Sequence, residues 1–503
     1  MNGNGRLFTR PDGRSYQGDT RSEKRAANNL GVVVGGPFNY KFRKFRSKAL
    51  DTVESYLEGR QYDHLQPWQE CCSTDTYTEV KKRKPSVVFP FAKTYQDRVA
   101  SKLAGSSVFP TFSVENDPDT TYFLGLVRKA SFFDAKMLDA AKKFVSYTSV
   151  FVRFRIMNGA PKIEVLNPNY CYPTFDDVGN LTSVTIKYIY ETDELDPRTG
   201  KMVCKWYKEE LGLESDILYD NPIFDENSQN DPEFQVVEQV DHGLGMVQGE
   251  WFRFGENQYD LDGESEPTIS EIRGFIDAIN YNLSMSDSAT NYGMDPQLVL
   301  KGIDKEDVDK IIKSAEKAWI LGRPEADAKF LENTGSGVQR GKEMEDRLIK
   351  RATDAARIVF LDPEKMVGNA QSGKAMEVMH APLVDLIHEM RPWFEKGMTS
   401  LLTKMATVLL YLEMSGADTV LEVPPGWVPG SLQIDCGWGP VFPLTIQDMQ
   451  QIISAGLQAA NGNIIARDTA AKWMQKMGVD FGVEDWEAET AKINAQKTFG
   501  GFF

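Results

Sequence analysis

Residues 368–375 have the spacing of a nucleotide-binding loop. Gly368, Gly373 and Lys374 satisfy the pattern Gly-x-x-x-x-Gly-Lys, in which backbone N–H groups surround phosphates and the lysine reaches the terminal phosphate groups. The next residue of such a loop carries a hydroxyl group for Mg²⁺, but this position is Ala375. Residues 362–365 read Asp-Pro-Glu-Lys, which is typical of a charged turn and not of the buried strand that precedes a P-loop. The sequence therefore argues against an ATP or GTP site here.

No other group of residues predicts catalysis or metal binding. A second glycine-rich stretch at 335–342 is one residue too long for a phosphate loop, and we expect a flexible loop that enters a helix. The acid pairs Asp176/Asp177 and Asp260/Asp262 lie in turn-like sequence and are typical of solvated carboxylates. The four histidines and five cysteines lack the spacing of a metal site or a catalytic triad. We therefore predict that the protein is not an enzyme and binds no cofactor.

Charge is unevenly distributed along the chain. The formal net charge is −16 and the pI is near 5.0, so the chain as a whole is not a basic nucleic-acid-binding protein. Residues 1–50 nevertheless contain eleven Lys or Arg and three acids, whereas residues 209–266 contain seventeen acids and one base, Arg253. Taken by its charge alone, the basic arm is typical of a disordered solubilising tail.

The length of 503 residues allows about two to four domains. Residues 1–29 are polar and glycine-rich, so no signal peptide is expected. No window approaches eighteen uninterrupted apolar residues, and no membrane-spanning segment is predicted. The cysteines, which include the adjacent Cys71 and Cys72, indicate a reducing place of synthesis.

Hydrophobic periodicity predicts a chain of mixed α and β structure. Apolar residues at helical spacing predict helices at 40–57, 92–103, 118–144, 269–283, 305–318, 342–360, 372–414, 445–460, 467–477 and 484–496. Alternation predicts a hairpin of strands 150–155 and 162–166 around Asn158-Gly159, and further strands within 173–250, at 297–300 and at 432–436. Asp117 is predicted to cap the helix at 118–144, and Pro382 and Pro392 are predicted to interrupt the helix at 372–414.

This order of elements resembles the portal proteins of tailed bacteriophages. The most specific resemblance lies in residues 81–112, which contain Arg83-Lys84-Pro85-Ser86-Val87-Val88-Phe89-Pro90, and in the start of the long helix at Ser372-Gly373-Lys374-Ala375. The hairpin and residues 166–176 resemble strands of the family's wing, and residues 461–480 resemble its last helices. The resemblance covers roughly residues 40–495, and the acidic stretch after Glu209 departs from it.

The resemblance implies an α+β fold of the portal type, with a β-rich wing, two stem helices, a small α/β clip, a long kinked helix and a helical C-terminal crown. The implied segments are a mobile basic arm (1–38), the wing (39–266), the first stem helix (267–293), the clip (294–338), the second stem helix (339–360), the tunnel loop (361–373), the long kinked helix with a wing strand (374–440) and the crown (441–503).

The same resemblance implies a ring, usually of twelve copies, at one vertex of the capsid, with a channel for DNA packaging and ejection. Double-stranded DNA would slide without sequence-specific contacts, because an acidic channel repels phosphates. The DNA-facing residues of the tunnel loop would be Lys365, Gly368, Asn369, Gln371 and Lys374, of which the two lysines are predicted to contact the DNA backbone transiently.

The implied partners are proteins of the assembling phage particle. They are the terminase large subunit, which would supply the ATPase activity, the head-tail adaptor, the major capsid protein and the scaffold protein. The clip would bind first the terminase and later the adaptor. The implied location is the virion, after assembly in the host cytoplasm.

Two other functions stay open from the residues alone. One is a nucleotide-binding enzyme that uses the loop at 368–375. The other is a head-completion protein that acts as a monomer or a low-order oligomer.

Overall fold

The structure is a computed structural model. It describes residues 8–9, 15–16, 40–68, 83–115, 117–176, 179–195, 200, 202–224, 232–255, 267–294, 297–301, 327–331, 336–358, 377–416, 419–424, 432–442, 446–462 and 464–476. The chain forms two compact units, which we describe separately. Unit 1 comprises Met1–Glu54, Thr94–Ser270 and Arg357–Phe503, and unit 2 comprises Ser55–Lys93 and Glu271–Ala356.

Helices and strands are mixed along the chain, as the sequence predicts. The helices are α1 (Tyr40–Glu58), α2 (Phe91–Ala104), α3 (Pro118–Ser131), α4 (Phe133–Tyr147), α5 (Thr268–Met294), α6 (Ser336–Ala355), α7 (Ala381–Met414), α8 (Ile446–Asn461) and α9 (Arg467–Lys476). The strands are β1 (Phe8–Thr9), β2 (Ser15–Tyr16), β3 (Thr111–Val114), β4 (Ser149–Met157), β5 (Ala160–Leu166), β6 (Cys171–Phe175), β7 (Leu181–Leu195), β8 (Met202–Leu211), β9 (Ser215–Tyr219), β10 (Val236–Asp241), β11 (Gly249–Arg253), β12 (Gln297–Lys301), β13 (Asp327–Leu331) and β14 (Ile434–Gly437).

Two antiparallel sheets of unit 1 share one apolar cluster. The larger sheet has the strand order β10-β9-β8-β7-β6, and the smaller has the order β11-β4-β5. Buried side chains from both sheets form the cluster, namely Phe151, Cys171, Val184, Ile186, Leu211, Val247 and Trp251. The sheets thus bury apolar side chains of β6–β8 against those of β4 and β11, which is the usual way in which antiparallel sheets remove apolar surface from water, whereas β10 is exposed.

The predicted hairpin is confirmed. β4 and β5 pair antiparallel from Phe151↔Leu166 to Met157↔Ala160. Between them, Asn158 has a φ of 53° and Gly159 a φ of 72°. Two positive φ angles are those of a type I′ turn, whose twist matches that of the flanking strands. The Asn-Gly pair therefore sets the register of this sheet.

Phe132 divides the predicted helix at 118–144 into α3 and α4, so the prediction of one continuous helix is wrong. Phe132 has a left-handed φ of 52°, and its N–H donates to the carbonyls of Arg128 and Lys129, as at a helix C-terminus. The break buries Phe133, whose ring meets that of Phe112 edge-on at 5.9 Å, while Phe132 is exposed. The apolar residues keep their helical spacing across the break. Burial of Phe133 therefore outweighs the preference for one continuous helix. The predicted cap is confirmed, because Asp117 Oδ1 accepts from the N–H of Thr120 at 2.9 Å.

The long helix α7 packs on aromatic side chains of unit 1. The ring centroid of Phe394 lies 5.3 Å from that of Phe144 and 5.2 Å from that of Phe252. The predicted interruption at Pro382 is confirmed, because residues 377–379 are helical, His380 forms a turn, and α7 begins anew at Ala381 with Pro382 in its first turn, where a missing N–H breaks no hydrogen bond. Pro392 lies inside α7, as predicted. The predicted start of this helix at Ser372 lies outside the described residues.

Unit 2 contains α5 and α6, with the hairpin β12–β13 between them in the chain. β12 was predicted, whereas β13, which pairs with it antiparallel, was not. α6 begins at Ser336, so the flexible loop expected at 335–342 is wrong for residues 336–342, which form the first turns of the helix.

The C-terminal elements of unit 1 agree with the sequence where they are described. β14 pairs antiparallel with β3, and α8 packs on α9 through the buried side chains of Ala470 and Met474. The helices predicted at 305–318 and 484–496 lie outside the described residues. Across the described part of the chain, no helix has the length and apolar character needed to cross a membrane.

Candidate functional site

The predicted DNA-facing residues lie outside the described part of the chain. They are Lys365, Gly368, Asn369, Gln371 and Lys374, all within residues 359–376. Their role therefore stays a prediction. The described residues show how the segments on either side of 359–376 are held and how the helices of unit 2 are fixed.

Arg357, which precedes residues 359–376, is held against α7. Its φ is 53°, and its Nη1 lies 2.9 Å from both carboxylate oxygens of Glu389. Because both side chains are about half exposed, this ion pair contributes only about 0–1 kcal/mol to stability. The pair places Arg357 next to α7 but adds little to the stability of unit 1.

His380, which precedes the first residue of α7, lies in buried surroundings. The centroid of its ring is 4.9 Å from that of Phe442, and Lys102 Nζ lies 4.2 Å from the Phe442 centroid. Burial, together with the positive charges of Lys102 and Arg98, lowers the pKa of His380. The imidazole is therefore neutral at pH 7 and acts as a packing group at the start of the helix.

Arg391 ties residues 438–439 to α7. Its Nη1 donates to the carbonyl of Gly439 at 2.9 Å, and its guanidinium carbon lies 4.7 Å from the ring centroid of Trp438. The Trp438 indole N–H donates in turn to Glu395 Oε2 at 2.8 Å. Because both anchoring side chains come from the same helix, the segment around Trp438 is fixed along α7.

α7 also contacts β11 closely. A Cβ added at Gly397 would lie 2.4 Å from Cδ1 of Phe252, so only glycine permits this approach. Further along the helix, Lys404 Nζ lies 2.7 Å from Glu250 Oε2 and donates to the carbonyl of Gly249 at 2.8 Å. Beside this contact lies a cleft of about 470 Å³, lined by residues of α7, β11 and the β6–β7 turn.

A buried charge network connects the two sheets of unit 1. Arg153 Nη1 donates to Glu209 Oε2 at 2.5 Å, and its other nitrogens donate to Glu164. Arg155 and the hydroxyl of Tyr207 also donate to Glu209, at 2.9 and 2.8 Å. Burial alone would lower the pKa of Arg153, but the two carboxylates raise it, so the guanidinium stays charged. Such a network fixes the relative position of the sheets, because any displacement leaves a buried charge unpaired.

In unit 2, polar side chains on α5 bind the extended segment at 83–90. The side-chain oxygen of Asn280 accepts from the N–H of Phe89 at 2.8 Å, and Ser284 Oγ accepts from the N–H of Val87 at 3.1 Å. The hydroxyl of Tyr281 donates to the carbonyl of Arg83 at 2.9 Å. These bonds satisfy backbone N–H and C=O groups of a segment that lies outside the strands β1–β14.

Asp277 extends the same polar face of α5. It accepts hydrogen bonds from the hydroxyls of Tyr56 and Tyr62, the latter at 2.6 Å. Burial and the adjacent carboxylate raise the pKa of both phenols far above their usual value. Both tyrosines are therefore neutral donors throughout the physiological range.

α5 and α6 approach each other at Gly341. The side-chain nitrogen of Asn282 donates to the carbonyl of Gly341 at 3.0 Å, and a Cβ added at Gly341 would lie 2.7 Å from Ser286 Oγ. The glycine thus leaves room for the Ser286 hydroxyl, which a larger residue at this position would have to displace.

In chemical terms, these contacts hold backbone and helices in place. Within the described residues, no group of three or more His, Cys, Asp or Glu is positioned to bind a metal ion. The sequence analysis missed both polar networks, although each has a sequence signal. Asp277, Asn280 and Ser284 recur at i, i+3 and i+7 on α5, and the Asn158-Gly159 turn places Arg153 opposite Glu164.

A family model supplies the assignment that geometry alone does not. The model described as "Phage portal protein, SPP1 Gp6-like" matches residues 43–496. The chain belongs to this portal protein family. The predicted resemblance to phage portal proteins is thereby confirmed. The family is one of structural proteins of the virion's head-to-tail connection, not of enzymes.

Solved structures similar to this portal-family chain come from gene transfer agent particles. One is a chain of the "Neck of empty GTA particle computed with C6 symmetry", with 12% sequence identity, a TM-score of 0.39, and coverage of 75% of this chain and 86% of that chain. Another is a chain of the "Virion of native gene transfer agent (GTA) particle", with 11% identity, a TM-score of 0.37, and coverage of 70% and 92%. No curated protein matches this chain.

Proposed function

We propose that this portal-family protein forms a closed ring, usually of twelve copies, at one vertex of the capsid, and that DNA enters and leaves through its channel. The observation that carries the proposal is the family match over residues 43–496, which includes both units. The ring would be a component of the virion and would be assembled in the host cytoplasm.

The proposed division of the chain follows the order of its elements. α5 and α6 would be the two stem helices, and the segment between them, with the β12–β13 hairpin at its ends, would be the clip. Residues 39–266 would form the wing and residues 441–503 the crown. The antiparallel pairing of β12 with β13 supports this division, because it brings the two ends of the clip together.

The channel would conduct DNA without reading its sequence. The net charge of −16 favours a lumen that repels phosphates, and Lys365 and Lys374 of the tunnel loop would make transient contacts with the DNA backbone. The motor would be a separate terminase ATPase, since Ala375 replaces the hydroxyl that a P-loop needs for Mg²⁺. Terminase and then the head-tail adaptor would dock on the clip, and capsid and scaffold proteins would surround the ring.

The mass of the assembled protein in solution tests this proposal. Native mass spectrometry of the full chain should show one closed species close to twelve copies. A monomer or dimer under assembly conditions would overturn the ring and favour a head-completion protein.

Nucleotide binding tests the alternative of an enzyme. We expect no ATP binding by calorimetry, in the presence of Mg²⁺, for the wild type or for Lys374→Ala. Clear ATP binding that is lost in Lys374→Ala would restore the nucleotide-binding interpretation.

A further inference from the structure

Helix α6 carries two parallel lines of side chains on its exposed side. The first, which we call the arginine stripe, recurs at i, i+4, i+7 and i+11 and consists of Arg340, Met344, Arg347 and Arg351. The second, the acidic stripe, recurs at i, i+3, i+7 and i+11 and consists of Glu343, Asp346, Lys350 and Asp354. All eight residues are exposed. Because these spacings follow the helical repeat, each stripe runs along one side of the helix.

The charges of these stripes have no ion-pair partner among the residues that the structure describes. The pairs Glu343/Arg347 and Asp346/Lys350, which have the spacing for support within the helix, are not formed as ion pairs. Arg347 and Arg351 instead repel each other at i, i+4. Three arginines on one line and three acids on the next therefore lack ion-pair partners within the described part of one copy.

We infer that the arginine stripe of one copy lies against the acidic stripe of the next copy in the ring. This inference rests on the proposed ring. Rotational symmetry keeps all copies of α6 pointing the same way along the axis, and a head-to-tail interface joins two different surfaces of the same chain. Two adjacent stripes of opposite charge on one helix meet this requirement.

The spacing of the stripes fits such a contact. Without any shift along the axis, each arginine has an acid of the next copy within three residues, or about 4.5 Å of helix rise. Arg340 would meet Glu343 of the next copy, Arg347 would meet Asp346 and Arg351 would meet Asp354. If the arginine stripes of two copies faced each other instead, their like charges would repel. The stripes therefore also determine which side of one copy joins which side of the next.

Two charge-reversed variants test the contact. One carries Arg340→Glu, Arg347→Glu and Arg351→Glu, and the other carries Glu343→Arg, Asp346→Arg and Asp354→Arg. Each variant alone places like charges at every interface, and we expect its ring fraction at low salt to fall about tenfold or more below that of wild type. A control with Lys93→Glu, Lys129→Glu and Lys162→Glu, three exposed lysines on other elements, has the same charge change as the first variant and should form rings as wild type does.

Mixing the two variants separates contacts between copies from effects within one helix. In a mixed ring with alternating copies, every interface again joins opposite charges. Native mass spectrometry should therefore show mixed rings with equal numbers of both variants. If the substitutions acted only within a single helix, mixing the two variants would not restore ring formation. Normal rings from each variant alone, or no recovery on mixing while circular dichroism shows both variants folded, would overturn the inference.

The wild type supplies an independent measurement that does not depend on the folding of variants. Solvated charge pairs are screened by salt, so the ring fraction of wild type should fall between low and high ionic strength. Rings that are insensitive to salt would contradict the stripe contact and leave the ring itself intact. Absence of rings from wild type under all conditions would instead overturn the proposed function.

Discussion

The hydroxyl of Tyr62 donates to Asp277 Oδ1 at 2.6 Å, and the same hydroxyl accepts from the side-chain nitrogen of Asn280 at 3.1 Å. Tyr62 is 4% exposed, so this phenol is a buried link between the segment after α1 and the polar face of α5. The link matters because α5 is the proposed first stem helix, and Tyr62 adds to the buried polar contacts that Asn280 and Ser284 make on the same helix.

Replacement of Tyr62 by Phe should loosen α5. The change leaves a carboxylate oxygen of Asp277 without this donor, and loss of such a partner costs about 1–2 kcal/mol. Hydrogen exchange followed by mass spectrometry should show amides of residues 271–294 exchanging about 5- to 30-fold faster. Tyr56→Phe is the matched control, because Tyr56 donates to the same carboxylate from a less buried position and should have a smaller effect. Equal exchange rates in wild type and Tyr62→Phe would contradict the link.

The pH dependence of unit 1 should report on Tyr207. Burial and the carboxylate of Glu209 raise the pKa of Tyr207 from 10.0 to about 12. A raised folded pKa means that the stabilisation is complete below pH 10 and is lost as the pH rises from 10 to about 12. The melting temperature of wild type should therefore fall more steeply than that of Tyr207→Phe within this window. If the melting temperatures of wild type and Tyr207→Phe fell equally with pH, ionisation of Tyr207 would not be coupled to unfolding.

The sequence predicted those parts of the fold that local rules determine. Asn158-Gly159 forms a type I′ turn because few other residue pairs adopt two positive φ angles, so the hairpin and its register follow from two residues. The break at Phe132 could not be predicted, since both phenylalanines continue the helical pattern. The rings of Phe109 and Phe112 pack edge-on against Phe133, and these contacts from an earlier part of the chain favour its burial.

The contacts of the candidate site also include some that the sequence could predict and some that it could not. Cross-strand neighbours of a hairpin follow from its turn, so Arg153 opposite Glu164 could be predicted. The third member, Glu209, comes from β8 of the other sheet, and no local pattern relates it to Arg153. The approach of α6 to α5 at Gly341 depends on the path of two helices with a whole hairpin between them, which the sequence does not define.

Arg153→Met should strongly destabilise unit 1. The substitution keeps the apolar volume of the side chain but leaves the buried carboxylate of Glu209 with fewer positive partners, and removal of one partner of a buried pair costs about 3–5 kcal/mol. Lys205→Met is the control, because the partly buried Lys205 pairs at 3.2 Å with the exposed Glu194 and should contribute less than about 1 kcal/mol. Urea denaturation followed by tryptophan fluorescence measures both. A loss in Arg153→Met no larger than in Lys205→Met would show that the network contributes little.

Gly341→Ala should destabilise unit 2, although alanine favours helices over glycine by about 1 kcal/mol. The added Cβ would lie 2.7 Å from Ser286 Oγ, so this hydroxyl must move, and any accompanying shift of the helices would strain the bond from Asn282 to the carbonyl of Gly341. Gly274→Ala is the matched control on α5, because a Cβ there meets nothing within 4 Å, and it should stabilise the protein by about 0.5–1 kcal/mol.

Ser286→Ala, added to Gly341→Ala, removes the clashing hydroxyl without placing a glycine inside α5, and should restore the contact between the helices. Hydrogen exchange of residues 336–355 is the direct measurement: we expect faster exchange in Gly341→Ala and recovery in the double variant. If Gly341→Ala exchanges as slowly as Gly274→Ala, the contact at Gly341 does not limit the size of the residue there.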